Sequence, residues 1–200
     1  LGSYVYFQAD DGTNGQELWK SDGTEAGTSM VLDIYPGADG SMNSQCDFTT
    51  FGNDIYFTAD DGTNGVELWR SDGSSAGTEL VADLQTGSFD ANPSQLTVMG
   101  TNLYFVAYTD YFGYELYKTD GTSSVIDIVY NIAEGQASSN PRNLTVIGDE
   151  LFFVATNQSC NLWKTDGTWS GTIVIWDQCG SFHRDIGDSM LLQKSVNSHI

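Results

Sequence analysis

The chain has 200 residues, of which 27 are Asp or Glu and only 7 are Lys or Arg, giving a formal net charge of −20. So negative a surface repels phosphate backbones and anionic headgroups, so nucleic acid and membrane surfaces are not expected partners. Hydrophobic residues make up 40% of the chain and aromatic residues 12%, which excludes disorder. No apolar run approaches the roughly 18–20 residues of a membrane-spanning helix. The 22 Gly indicate a β protein with many tight turns.

Internal repetition dominates the sequence. The segment ELWKSDGT at 17–24 returns as ELWRSDGS at 67–74, ELYKTDGT at 115–122 and NLWKTDGT at 161–168. A triplet of one aliphatic and two aromatic residues recurs at 5–7, 55–57, 103–105 and 151–153, and a Gly stands five residues before its last Phe. These spacings predict four repeats of about 48 residues with the bounds 3–52, 53–100, 101–148 and 149–194, followed by a tail at 195–200.

Each repeat is predicted to fold as four short antiparallel strands. Sequences such as Asp61-Gly62 and Asp72-Gly73 supply the positive φ of tight turns, and the strands are too close together for helical crossovers. The first strand is apolar on both faces, since Val5 and Phe7 share one face and Tyr6 lies on the other. A sheet of this kind must be covered on both sides. The pattern predicts an all-β, propeller-like array of four four-stranded antiparallel blades, whereas a β-sandwich leaves the period unexplained.

The first residues align with the ends of repeats. Leu1-Gly2 corresponds to Phe51-Gly52, so it is interpreted as the end of a preceding strand. Two explanations remain open: an excerpt from a longer array, or a closed four-bladed ring.

The recurrent Glu-Leu-Trp-x-x-Asp-Gly-Thr resembles the secreted repeat proteins named after the ELWxxDGT repeat, and the resemblance covers essentially the whole chain. Two copies depart from the motif, with Tyr117 in place of Trp and Asn161 in place of Glu. The resemblance implies an extracellular or cell-surface protein with a propeller-like fold, and it carries over no catalytic residues.

Carboxylates recur near one end of each predicted blade, where the first and third turns of a meander meet. The candidate cation ligands are Asp10, Asp11, Glu17, Asp33, Asp60, Asp61, Glu67 and Asp83. Oxygen-rich clusters suit Ca²⁺, although Asp-Asp-Gly-Thr-Asn-Gly is also a good turn without any metal. Both interpretations stay open.

Two of the three cysteines are predicted to pair. If the hairpin of the last repeat is centred on its loop at 166–172, Trp163 lies opposite Trp176 and Cys160 lies opposite Cys179. That register suits a disulfide, which would imply an oxidising compartment. Cys46 is left over, as a free thiol or one that pairs outside this segment.

Three more residues are candidate surface sites. Asn143 and Asn157 begin N-glycosylation triplets, and the hairpin position of Asn157 makes it the better acceptor. Trp169 lies in a Gly-rich loop and is predicted to be an exposed contact for a glycan or a neighbouring subunit.

No catalytic constellation is recognisable. The only histidines, His183 and His199, have neither metal-binding nor triad-like spacing. We therefore expect a non-enzymatic, extracellular structural or adhesive repeat module that binds protein partners or copies of itself. The alternative is a glycan-binding, lectin-like propeller that depends on Ca²⁺.

Overall fold

The computed structural model describes residues 1–43, 46–122 and 126–177. All regular elements in these ranges are β-strands, and no helix in them is long and apolar enough to cross a membrane. In chain order the strands are β1 (Val5–Asp10), β2 (Gln16–Ser21), β3 (Ser29–Leu32), β4 (Thr49–Phe51), β5 (Asp54–Asp60), β6 (Val66–Ser71), β7 (Thr78–Ala82), β8 (Ser94–Met99), β9 (Asn102–Thr109), β10 (Gly113–Thr119), β11 (Asp127–Tyr130), β12 (Arg142–Ile147), β13 (Glu150–Asn157), β14 (Ser159–Thr165) and β15 (Ile173–Asp177).

The strands form four antiparallel sheets in which neighbours in the chain are neighbours in the sheet. Sheet 1 contains β1–β3, sheet 2 contains β4–β7, sheet 3 contains β8–β11 and sheet 4 contains β12–β15. Sheet 1 therefore has three strands within the described residues, and the other sheets have four. This arrangement confirms the predicted all-β, propeller-like array of meanders.

The sheets are out of phase with the predicted repeats. The strand expected to be the fourth of each repeat pairs with the strand that follows it, so β4 joins β5, β8 joins β9 and β12 joins β13. The predicted boundaries after 52, 100 and 148 therefore fall inside tight hairpins. Gly52, Gly100 and Gly148 supply the positive φ of 63°, 59° and 62° in those turns.

A register shift also recurs in every sheet, between the Leu and the aromatic residue of the ELW segment. In sheet 4 it lies between Leu162 and Trp163, so Leu162 pairs with Trp176 and Trp163 pairs with Val174. The predicted pairing of Trp163 with Trp176 is wrong, because on the loop side of this irregularity Lys164 already pairs with Ile173, so the assumed register was displaced by two positions. The irregularity then adds one residue to β15 for the pairs farther from the loop.

Where two successive sheets adjoin, the forward face of one packs against the rear face of the next. The forward face of sheet 1 carries Leu18 and Val31, which pack in one apolar cluster with Ile55 and Phe57 from the rear face of sheet 2. Equivalent clusters join sheet 2 to sheet 3 and sheet 3 to sheet 4. The aromatic residues of the ELW segments belong to the rear faces, where Trp69, Tyr117 and Trp163 are buried between sheets.

A polar contact accompanies each of these three interfaces. The cation that follows the ELW aromatic residue donates a 2.7 Å hydrogen bond to the carbonyl of the Asp-Gly glycine in the following sheet: Lys20 to Gly73, Arg70 to Gly121 and Lys118 to Gly167. A tyrosine hydroxyl from the same forward face lies over that glycine, so closely that a Cβ there would collide with it: Tyr6 over Gly73, Tyr56 over Gly121 and Tyr104 over Gly167.

Candidate functional site

The recurrent Glu of the ELW segment is a buried structural carboxylate. Glu17 is fully buried, and its oxygens accept hydrogen bonds from the backbone N–H groups of Ile34 (3.2 Å), Tyr35 (3.2 Å) and Ser41 (2.9 Å). The Ser41 hydroxyl adds a fourth bond of 2.6 Å. These donors lie in the connection that leaves sheet 1, so Glu17 fastens that connection to its own sheet.

Two further sheets repeat this arrangement with one difference. Glu115 accepts equivalent bonds from Ile132, Ala133 and Ser139, including the Ser139 hydroxyl at 2.6 Å. Glu67 accepts bonds from the N–H groups of Leu84 (3.2 Å) and Gln85 (3.1 Å), but Ala91 stands where the other sheets have the serine. Glu67 therefore lacks the hydroxyl donor.

Burial changes the acidity of these carboxyl groups. Desolvation raises the pKa of Glu67 and of Glu115 to about 7, although their hydrogen bonds act in the opposite direction. Burial raises the pKa of Glu17 as well. The shifts have a structural cause, since each carboxyl group is surrounded by its own loop.

The turn carboxylates that were expected to converge on Glu17 and Glu67 are occupied within their own turns. Asp11 accepts bonds of 2.9 Å from the N–H groups of both Asn14 and Thr13, which lower its pKa. Asp10 accepts one from Gly12 N–H. Asp60 and Asp61 hold the corresponding turn of sheet 2 in the same way.

The remaining candidate ligands directly precede residues that donate to the buried glutamates, Asp33 before Ile34 and Asp83 before Leu84. One buried carboxylate oxygen of Asp33 has no hydrogen-bond partner among the described residues, and exposed Asp83 accepts a 3.3 Å bond from Gly87 N–H. Nowhere in the described ranges do three or more His, Cys, Asp or Glu side chains form a group that could hold a metal ion. The geometry supports the turn interpretation of these carboxylates and not the expected convergence.

The cysteine predictions have different outcomes. Cys46 is half-buried, its thiol donates to the carbonyl of Thr58 at 3.3 Å, and burial raises the pKa of that thiol. Cys160 lies in β14, but Cys179 lies outside the described residues, so their pairing stays a prediction.

The surface candidates are accessible. Asn157 is exposed at the tip of the β13–β14 hairpin, and Asn143 is exposed on β12. Trp169 is 61% exposed, and its ring centroid lies 4.3 Å from that of Tyr130. It borders a cavity of about 450 Å³ between sheets 3 and 4 that Lys118 and Ile128 also line. Glycosylation and contact formation at these residues remain predictions.

Sequence reasoning missed a row of polar residues on, or just before, the first strands of sheets 2, 3 and 4. These strands approach one another, β4 beside β8 and β8 beside β12. Asp47, Gln95 and Asn143, which we name the central row, each stand five residues before a hairpin glycine. That spacing was the signal in the sequence that could have identified the row.

The central row is tied together across sheet boundaries. Gln95 N–H donates to Asp47 at 3.0 Å, and the Gln95 side-chain amide donates to the carbonyl of Pro141 at 3.0 Å. Gln95 and Asn143 have positive φ values of 57° and 60°, at register shifts in β8 and β12. Non-glycine residues held in this region are often found at functional sites, and bulges redirect side chains.

A cavity of about 440 Å³ lies beside the central row, between sheets 2 and 3. Thr58, Pro93, Ser94 and Tyr114 line it, and Ser94 directly precedes Gln95. Amide, hydroxyl and carbonyl groups at this place can hydrogen-bond an extended polar ligand. Both histidines of the chain lie in the range 178–200, outside the described residues.

The comparisons with known proteins give a fold and no family. No protein-family profile matches the sequence, and no curated protein matches it. Among solved structures, one of two prolyl endopeptidases studied for the role of inter-domain dynamics in catalysis and specificity is similar over 86% of this chain and 24% of its own, with 12% identity and a TM-score of 0.54. A puromycin hydrolase is similar over 88% of this chain and 27% of its own, with 16% identity and a TM-score of 0.53.

These likenesses correct the functional expectation. The two solved structures described above are hydrolases, and this chain spans only about a quarter of their length. The expectation of an extracellular structural or adhesive module, with its glycan-binding alternative, is contradicted by that finding. At 12% and 16% identity the likeness itself establishes the β-propeller fold alone.

Proposed function

We propose that this chain is the substrate-facing propeller segment of a larger peptide or amide hydrolase whose catalytic groups lie in another segment. The observation that carries the proposal is the central row, where strained, redirected polar residues of successive sheets lie side by side. The likeness to part of a prolyl endopeptidase and of a puromycin hydrolase supports it, because the matched share of each is about a quarter.

The chemistry of the central row fits recognition of a polar, uncharged backbone. Asn143 is exposed on the row, and the neighbouring cavity of about 440 Å³ has Thr58 and Ser94 in its wall. Peptide groups need one donor and one acceptor each, which side-chain amides and hydroxyls can provide. The carboxylate of the row, Asp47, already accepts the Gln95 N–H, so amide and hydroxyl groups are the ones offered to a peptide.

Binding of a short peptide to this chain tests the proposal. Titrating the ¹⁵N-labelled chain with the tripeptide Pro-Gly-Gly should shift the amide signals of Gln95, Asn143 and their strand neighbours, with weak affinity, on the order of millimolar. Asn143→Ala should reduce the affinity severalfold. Gln16→Ala, an exposed position on β2, is the matched control and should leave the affinity unchanged.

Two results would contradict the proposal. Signal shifts confined to residues outside the central row would place peptide binding elsewhere. The absence of any shift at about 10 mM peptide, roughly ten times the expected dissociation constant, would exclude peptide binding altogether. Hydrolysis of a fluorogenic prolyl peptide by the purified chain would show that it carries its own catalytic groups.

The ELWxxDGT resemblance supports a second proposal, an extracellular or cell-surface location. The accessible Asn157 and a Cys160–Cys179 disulfide are compatible with it. Peptide mapping of the protein from its natural host, without reduction, should recover a cross-linked peptide containing both cysteines. Recovery of both as free thiols would oppose this location.

A further inference from the structure

Two sheet faces at opposite ends of the array resemble the faces that are buried inside it. Ile175 on the forward face of sheet 4 is 41% exposed, whereas its equivalents Val31, Val81 and Val129 are buried between sheets. On the rear face of sheet 1, Val5 is 64% exposed, whereas its equivalent Ile55 is buried. The exposed apolar surface is therefore the same surface that packs elsewhere in the chain.

The two end faces also carry the separate partners of the cation-to-glycine contact that accompanies each interface. Lys164 and Phe152 occupy the positions of the cation and the ring on the forward face of sheet 4. Gly23 occupies the position of the acceptor glycine on sheet 1, and a Cβ built there meets nothing within 4 Å. Each end thus carries one half of a contact that is complete at the three interfaces within the chain.

The ion pair that Lys164 forms within its own sheet does not prevent the contact. Lys164 Nζ lies 2.7 Å from Glu150. Arg70, at the equivalent position in sheet 2, lies 3.8 Å from Asp54 of its own sheet and still donates to the Gly121 carbonyl. A cation at this position can therefore contact both partners.

We propose that the forward face of sheet 4 binds the rear face of sheet 1 in a second copy of this chain, head to tail. The interface would be a fourth instance of the one that joins sheets 1 and 2, with Lys164 donating to the Gly23 carbonyl and Phe152 covering the glycine. Two different surfaces meet, so the contact is heterologous and one copy leaves a free end for the next. The inference does not depend on peptide binding at the central row.

Charge opposes this association over long range. Each copy has a net charge of −20, and two such chains repel each other in dilute salt. Added salt shortens the range of the repulsion to about 8 Å at 0.15 M, while apolar contact is little affected. Head-to-tail association should therefore strengthen as NaCl is raised from 0.02 to 0.5 M.

Sedimentation velocity with two end-blocking variants tests the proposal. The unmodified chain should associate in a concentration-dependent manner at 0.5 M NaCl. Val5→Glu blocks the rear face of sheet 1, and Ile175→Lys blocks the forward face of sheet 4, so each variant alone should lose at least about tenfold in self-association. An equimolar mixture retains one intact face of each kind and should form dimers without larger species. Tyr111→Glu, at an exposed loop residue away from both faces, should behave like the unmodified chain.

Other outcomes would overturn the inference. A monomer at every protein and salt concentration would show that the two faces do not bind each other. Self-association of Val5→Glu as strong as that of the unmodified chain would indicate a symmetric contact instead. Circular dichroism melting of all three variants establishes that they are folded, so that loss of association is not loss of structure.

Discussion

The ammonium group of Lys118 donates a 2.7 Å hydrogen bond to the backbone carbonyl of Gly167, across the boundary between sheets 3 and 4. The same contact links every pair of neighbouring sheets in the described chain, whereas the equivalent Lys164 pairs with Glu150 of its own sheet. Position in the array, and not residue type, decides what this cation does.

Removing the cation should destabilise the chain more at a contact between two sheets than at the end of the array. Lys118→Met loses a partly buried, charge-assisted bond, and we expect it to lower the free energy of unfolding by about 1–2 kcal/mol. Lys164→Met loses an ion pair at the surface of a single sheet, with side chains 28% and 40% exposed, which contributes about 0.5 kcal/mol. Urea denaturation of both variants at a concentration that keeps the chain monomeric measures the difference. Equal losses would mean that the bond between sheets contributes nothing beyond a surface ion pair.

Restoring the missing hydroxyl beside Glu67 should stabilise the chain. Ala91→Ser would give Glu67 the donor that Ser41 and Ser139 give to Glu17 and Glu115 at 2.6 Å. We expect a gain of about 1 kcal/mol, seen as a rise in Tm of roughly 2–4 °C. The reverse change, Ser139→Ala, is the matched control and should lower Tm by a similar amount. A lower Tm for Ala91→Ser would show that sheet 2 has no room for the hydroxyl.

The buried glutamates predict an unusual dependence of stability on pH. The folded chain raises the pKa of Glu67 and Glu115 from 4.5 to about 7, so it binds their protons more tightly than the unfolded chain does. The contribution of these groups is therefore complete below pH 4.5 and is lost as the pH rises to about 7. Denaturation at several pH values in this window should show the decline.

A neutral replacement isolates one of the two groups. Glu67→Gln should reduce the decline of stability between pH 4.5 and 7 and leave the part that belongs to Glu115 and Glu17. Glu25→Gln, at an exposed residue in the loop between β2 and β3, should keep the full slope. If both variants show the same slope, the decline has another origin.

The acceptor glycines should differ in their tolerance of a side chain. Gly73 and Gly23 have nearly the same backbone conformation, with φ of +89° and +92°, so alanine strains both. At Gly73 the added Cβ also collides with the Tyr6 hydroxyl, whereas at Gly23 the space is empty. Gly73→Ala should therefore cost at least about 1 kcal/mol more than Gly23→Ala in thermal unfolding. Adding Tyr6→Phe to Gly73→Ala should recover part of that difference.

The carboxylates show where sequence reasoning reached its limit. The turn role of Asp10 and Asp11 follows from neighbouring residues, and it was one of the two interpretations of Asp-Asp-Gly-Thr-Asn-Gly. The burial of Glu17 does not follow, because its donors are backbone N–H groups 17 to 24 positions later. Backbone donors leave no mark on residue types, so an acidic residue with such partners resembles a metal ligand in the sequence.

The central row is a second feature that sequence reasoning did not recognise. Gln95 and Asn143 are ordinary polar residues in sequence, and their spacing from the hairpin glycines was visible. Their positive φ values lie at register shifts in β8 and β12, and the bond from Gln95 to Asp47 forms where β4 and β8 lie side by side. Local patterns contain no information on how neighbouring sheets approach each other.

Local residue patterns were enough to establish the period, the antiparallel meander and the apolar character of both sheet faces, because turns and strand alternation depend on residues a few positions apart. Tertiary structure decided which strands share a sheet, since a period of about 48 residues fixes spacing but not where the unit begins. It also decided the register shift at Leu162 and Trp163, and with it the partner of every residue beyond that point in the hairpin. Contacts between sheets then gave equivalent residues different roles, as Lys118 and Lys164 demonstrate.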